Sequence, residues 1–276
     1  GWWLLAVVLV TTRASVANAR VVYSELDELV RENVSAYLTL ERLGCDASAA
    51  DIDRGLVAAR DQITESLQAL GYYTPAIELR EETAVDCWVV AVDLNPGPRV
   101  TYRDVDIRIV GDAAEDSVVR DRLVAMPFGL GGALHHGEYS EAKRSLRRLL
   151  VSRGYLDAVF EKTRLEGMPE EYVAEVFWQT DSGPRYRIGQ ISIRQDVFDD
   201  TLVQRFVTLK SGDFFDRTAL LRQQKALQSS ALIATASVNA DTEANGDQTV
   251  PITIVIEPVE RIGYFTGVGV STDRGP

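Results

Sequence analysis

Two phrases occur twice in this chain, and they occur in step. Gly97-Pro98-Arg99 leads into Tyr102-Arg103-Asp104-Val105-Asp106-Ile107-Arg108-Ile109, and Gly183-Pro184-Arg185 leads into Tyr186-Arg187-Ile188-Gly189-Gln190-Ile191-Ser192-Ile193-Arg194. The two copies lie 86 residues apart, 183 minus 97. A Gly-Pro turn followed by a period of two predicts a strand, because proline presets φ and alternation suits a half-buried pleat. Gly71-Tyr72-Tyr73 ends one helical pattern, and Gly154-Tyr155-Leu156 ends another 83 residues later, 154 minus 71. Two unrelated markers repeating at nearly one spacing imply a tandem module.

The order within each module is strand, helix, helix, strand, strand. In the first, Arg20 to Ser24 reads as a strand. Leu26, Leu29, Val30, Val34 and Leu38 recur at helical spacing, and Ile52, Leu56, Ile63, Leu67 and Leu70 line a second helix behind Asp51. Gly71 fits the position after that helix. Strands follow over residues 73–80 and 86–94, around the polar Glu81-Glu82-Thr83. In the second module Val105, Ile107 and Ile109 share one face of a strand. Val118, Val119, Leu123 and Met126 mark a short helix before Pro127. A Gly-rich loop over residues 129–137 precedes a helix with Tyr139, Ala142, Leu146, Leu149 and Leu150 as its stripe, and strands cover 156–165 and 172–180 around Gly167-Met168-Pro169. In the third, Leu202, Val203, Phe206 and Leu209, then Leu220, Leu221, Leu227 and Ala231, mark the helices. Strands cover 235–240 and 249–257, around Asn245-Gly246. The expected fold is α+β. Its boundaries are 1–19 for a signal remnant, 20–97, 98–184 and 185–259 for three modules, and 260–276 for a further strand.

The two ends carry their own signals. Trp2 to Val10 is an apolar run of about nine residues, too short for a bilayer core, and Ala17-Asn18-Ala19 suits a cleavage site. This reads as a secretory signal lacking its basic start. From Ile262 to Ser271, Ile262, Tyr264, Thr266, Val268 and Val270 alternate with Gly263, Phe265, Gly267, Gly269 and Ser271, one face bulky and largely apolar and the other mostly small, which suits a membrane barrel strand. Export leaves Cys45 and Cys87 two states: a bridge closing a loop of roughly 40 residues, or two buried thiols. The net charge of −12 disfavours nucleic acid and anionic membranes as partners.

The residues give no reason to expect catalysis, a metal or a cofactor. His135 and His136, the only histidines, adjoin in a Gly-rich stretch without convergent partners and read as solvated loop. Gly129-Leu130-Gly131-Gly132 lacks the Gly-Lys-Ser/Thr ending of a phosphate loop. Glu81, Glu82, Glu170 and Glu171 fall in expected turns. Arg144, Arg147 and Arg148 form a basic helix edge opposite the leucine stripe.

Four stretches carry a family likeness: Leu67 to Tyr73 with Pro75; Gly137-Glu138-Tyr139 with Lys143, Leu146 and Arg153-Gly154-Tyr155; Ser182 to Arg187; and Thr266 to Pro276. With the repeated module they resemble the POTRA domains of outer-membrane assembly factors, and within those the TamA-like branch. The third module departs from the pattern, with Ala231-Leu232-Ile233 where a Gly-aromatic pair would stand, and the cysteine pair is no part of the likeness. The resemblance implies a non-enzymatic scaffold in the periplasm of an outer-membrane protein. It implies insertion of outer-membrane proteins such as autotransporters, an inner-membrane-anchored TamB-like partner, unfolded outer-membrane clients, and residues 260–276 as the start of a truncated β-barrel. A BamA-like or two-partner-secretion transporter fragment is an alternative, as is a periplasmic enzyme or peptidoglycan-binding module. Sheet edges offer unpaired backbone groups to an extended chain. In such folds the second strand is the usual edge, so Ala76, Ile77, Glu78 and Leu79, and Ala158, Val159 and Phe160, are the candidate partner-binding residues.

Overall fold

The structure, a computed structural model, describes residues 21–82, 87–196, 198–243 and 247–259. The signal remnant, the expected barrel strand and the Asn245-Gly246 turn lie outside the described residues. One element order runs three times. The first set is β1 (Val21–Tyr23), α1 (Glu28–Tyr37), α2 (Ala49–Ala69), β2 (Ala76–Glu82) and β3 (Val89–Asn95). The second is β4 (Thr101–Val110), α3 (Ser117–Val124), α4 (His136–Ser152), β5 (Val159–Met168) and β6 (Val173–Asp181). The third is β7 (Arg187–Arg194), α5 (Asp200–Phe206), α6 (Arg217–Gln228), β8 (Ile233–Ala240) and β9 (Thr249–Pro258).

These make three sheets, ordered β1-β3-β2, β4-β6-β5 and β7-β9-β8. The third strand of each module is therefore central, and it shows the cleanest period of two. Val90, Val92 and Leu94, then Ala174, Val176, Trp178 and Thr180, then Val250, Ile252, Ile254 and Ile256, are buried at alternate positions. In the first and third sheets the central strand pairs parallel with the first strand and antiparallel with the second. In β7 the register shifts between Ile188 and Ile191, so the buried positions change parity along the strand.

The helices begin where side chains cover their free N–H groups. Asp27 caps α1 through Leu29 N, Ser48 caps α2 through Asp51 N, Asp116 caps α3 through Val118 N and Asp216 caps α6 through Thr218 N. Asp51 thus sits inside the first turn of α2, where its carboxylate accepts the Ser48 hydroxyl at 2.6 Å. His136 opens α4 instead of lying in a loop. His135 Nδ1 accepts the N–H groups of Gly137 (3.1 Å) and Glu138 (3.3 Å), doing the work of a capping side chain.

Contacts group the chain into two compact units. One takes in the described residues up to Asp104, with Phe128–Glu138 and Glu166–Glu175. Its core joins Val30, Val34 and Leu38 of α1 and its cap, Ile63, Leu67 and Leu70 of α2 and its cap, and Val90, Val92 and Leu94 of β3. The other takes in Val105–Pro127, Tyr139–Leu165 and the described residues from Val176. One of its cores joins Tyr186, Ile188, Leu220, Leu227 and alternate residues of β9. Leu146, Leu150 and Trp178 are also fully buried there.

Several expectations change in detail. Glu81 and Glu82 belong to β2, paired with Val90 and Val89; an edge ladder tolerates polar side chains on its solvent face. Glu170 and Glu171 do lie in a turn, but β5 runs on to Met168, so the turn is Pro169 to Tyr172, with Tyr172 at φ 55°. Val105, Ile107 and Ile109 are only half-buried. Leu29 and Leu221 face solvent, and Ala231 lies beyond the end of α6.

Candidate functional site

Because the third strand is central, β2 and β5 are outer strands, and among the described residues neither carries a strand on its other side. On β2, Ala76 and Glu78 are exposed, Ile77 is buried opposite Leu94, and Leu79 is half-buried opposite Val92. Ala158 is buried and precedes β5. Val159 is 57% exposed at the start of that strand. Phe160 turns inward, its ring edge-on to Trp178 with centroids 6.1 Å apart. Lys143 of α4 lies 5.3 Å over the Phe160 ring, and its Nζ donates to Thr163 Oγ1 at 3.0 Å. Glu161, Lys162, Thr163 and Arg164 then face solvent. Charges on an outer strand discourage indiscriminate pairing while leaving the backbone accessible.

Cys45 and Cys87 are joined by a disulfide, with Cα atoms 4.8 Å apart. It ties the segment before α2 to the start of β3, and beside it Trp88 Nε1 donates to Gly44 O at 2.9 Å.

The repeated phrases build the same joint twice. Gly71 sits at φ 90°, and the N–H of Tyr72 returns to Leu67 O while that of Gly71 returns to Gln68 O. Gly154 sits at φ 95°, with Tyr155 N to Leu150 O and Gly154 N to Val151 O. Both are Schellman closures, which need a residue that accepts a left-handed backbone. The next strand docks on the freed glycine carbonyl: Val100 N donates to Gly71 O at 2.9 Å, and Tyr186 N to Gly154 O at 2.8 Å. Leu134 N then donates to Val100 O, and Phe215 N to Tyr186 O. The arginine of each Gly-Pro-Arg reaches back. Arg99 Nε donates to Leu70 O at 2.7 Å with its guanidinium 5.5 Å over Tyr72. Arg185 Nε donates to Arg153 O at 2.8 Å with its guanidinium 5.6 Å over Tyr155.

The two joints differ in their polar side chains. At the first, Tyr73 Oη lies 2.6 Å from His136 Nε2, and burial lowers the imidazole's pKa, with the neighbouring His135 adding to it. At the second, buried Asp116 accepts Arg153 Nε at 2.7 Å and Tyr155 Oη at 2.9 Å. Arg153 Nη1 also reaches Asp216 at 3.4 Å, so one arginine links the caps of α3 and α6. Burial by itself would raise the Asp116 pKa; the hydrogen bonds from Arg153 and Tyr155 outweigh it and hold the carboxyl below the usual range. Burial, then the bond to Asp116, pushes the Tyr155 phenol up to about 12. The sequence marks the glycines, Arg99 and Arg185. It does not mark Asp116 or Arg153 as partners, because 37 residues separate them.

Among the described residues no three His, Cys, Asp or Glu side chains converge as a metal site, and no helix is long and apolar enough to cross a membrane.

Among solved structures, the chain is similar to POTRA domains 3–5 of BamA from Haemophilus influenzae, at 15% identity, 87% of this chain, 95% of that one and a TM-score of 0.44. It is similar to POTRA domains 1–3 of Omp85 from Anabaena at 13% identity, 88% and 95% coverage and 0.33. It is also similar to CdiB from Acinetobacter baumannii at 13% identity and 0.34, over 86% of this chain and 40% of that one. In sequence, residues 26–96 match the family described as POTRA domain TamA domain 1, and residues 186–259 match the POTRA family described as surface antigen variable number repeat. The two matches together take in more than half of the chain and fall on the first and third modules, and the second repeats their element order and their joint. The chain belongs to the POTRA-domain family, and its first module matches the family described as the first POTRA domain of TamA.

Proposed function

We propose that this chain is the periplasmic scaffold of a TamA-like outer-membrane assembly factor. In this reading it holds unfolded outer-membrane clients, autotransporters among them, and an inner-membrane-anchored TamB-like partner, with no catalytic step of its own. The observation that carries the TamA-like assignment is the match of residues 26–96 to the first POTRA domain of TamA. Capture by outer strands is supported by the position of β2 and β5 and by the exposure of Ala76, Glu78 and Val159. An added strand gains main-chain hydrogen bonds without demanding a particular side chain, which suits clients of varied sequence. Domains 20–97, 98–184 and 185–259 are the units that would carry these edges.

The test is photocrosslinking in cells from the full-length protein, with the reactive residue placed at Glu78, Val159 or, as a control on an exposed helix, Arg54. Capture of outer-membrane proteins or a TamB-like protein from the strand positions and not from Arg54 is expected. Capture from Arg54 alone would overturn the reading.

A further inference from the structure

The second unit carries a basic cleft that outer-strand capture does not use. On α4, Arg144, Arg147, Arg148 and Val151 fall three and four residues apart, so they share one solvent-facing side. Arg217, the first residue of α6, joins them, and with Ser152 these residues line an open cleft of about 530 Å³. Glu141 pairs with Arg144 at 3.0 Å and with Arg148 at 2.5 Å, and so offsets part of the charge. Arg147 and Arg217 are exposed and pair with no carboxylate among the described residues. Val151 and Arg217 also line a neighbouring cleft of about 380 Å³, with Leu221, Val238, Gln224 and Asn239 in its walls. The two clefts thus share a wall, and a trough of mixed polar and apolar lining opens onto four guanidinium groups.

This concentration of positive charge stands out in a chain of net charge −12. Planar guanidinium forks match carboxylates two bonds at a time. A membrane fits less well: the acidic chain as a whole is repelled by anionic lipid. We propose that this cleft binds an extended acidic segment of a partner protein, with Asp or Glu side chains at the arginines and the flanking residues along the mixed trough. The proposal does not depend on β2 or β5 capturing clients, so either can fail alone.

The test is fluorescence anisotropy on the whole chain with two labelled peptides, both alternating Leu and Ser, one ending in four Glu and the other in four Gln. The Glu-tailed peptide is expected to bind at least about tenfold more tightly, with an affinity that falls as salt rises. The double variant R147E/R217E is expected to erase that preference, R147K/R217K to retain most of it, and R54E on α2 to leave it unchanged. All these side chains are exposed, and an unchanged melting temperature confirms that each variant folds. Equal affinity for both tails, or binding indifferent to R147E/R217E, would overturn the proposal. So would charge-dependent binding to phosphatidylglycerol vesicles with none to the peptide, which would assign the cleft to a membrane. Self-association that R147E/R217E abolishes and that blocks the peptide would assign it to a second copy.

Discussion

Asp116 shows how one carboxylate can hold a joint. It caps α3 and accepts both Arg153 and Tyr155 while almost wholly buried. Asp116→Asn would leave Arg153 short of its closest partner and should cost about 3 kcal/mol in the second unit, read by denaturant unfolding. Asp216→Asn, whose contact is longer and more exposed, should cost under about 1 kcal/mol. The pH dependence follows from the direction of the Asp116 shift. Its folded pKa is depressed, so its contribution is present above the ordinary carboxylate pKa near ~4 and is lost as pH falls through the folded value. D116N should flatten the acid limb of the unfolding profile; an unchanged limb would refute this role. Gly154 makes a second point. A Cβ there would lie 2.8 Å from Phe215 O, on a left-handed backbone. Gly154→Ala should cost about 2 kcal/mol or more, and Gly71→Ala, with Leu134 O at 2.5 Å, should cost as much in the first unit.

At the scale of elements, what could be read in the sequence divides by how local its cause is. The central strands β3, β6 and β9 were legible because a sheet interior imposes strict alternation on each. The Gly-Tyr helix ends were legible because a Schellman closure spans only a few residues. Helix starts were less so, since Ser48 and Asp51 are both good capping residues and only the folded backbone chooses between them. The half-burial of Ile107 was not visible, because an outer strand can show period two without a second layer covering it. Of the candidate edges, the positions of β2 and β5 follow from the strand order, but Ala158 and Ile77 turn inward, and alternation alone does not say which parity faces out. The disulfide is an element-scale constraint on β3 and the start of α2. Its half-cystines are 42 residues apart, and closing such a loop is worth about 4 kcal/mol in the unfolded chain. Cys45→Ser/Cys87→Ser should lower the stability of the first unit by that order, seen as earlier unfolding of its fluorescence at Trp88, and leave the second unit's transition in place.

For the whole molecule, the repeat is the explanation. Three sheets with one strand order place an equivalent outer strand in each module, and two joints with matching backbone hydrogen bonds fix where the first strand of the next module docks on the end of the preceding module's second helix. Asp116 serves a joint and a cap at once, and among the described residues β2 and β5 carry no strand on their outer side. In the function proposed, partners are taken up by that outer backbone. Hydrogen exchange measured residue by residue on the whole chain, with and without a denatured outer-membrane protein, tests it most directly. The account predicts new protection at amides of β2 and β5, with β3, β6 and β9 unchanged. Protection confined to the outer faces of the helices, with the amides of β2 and β5 exchanging as before, would contradict it.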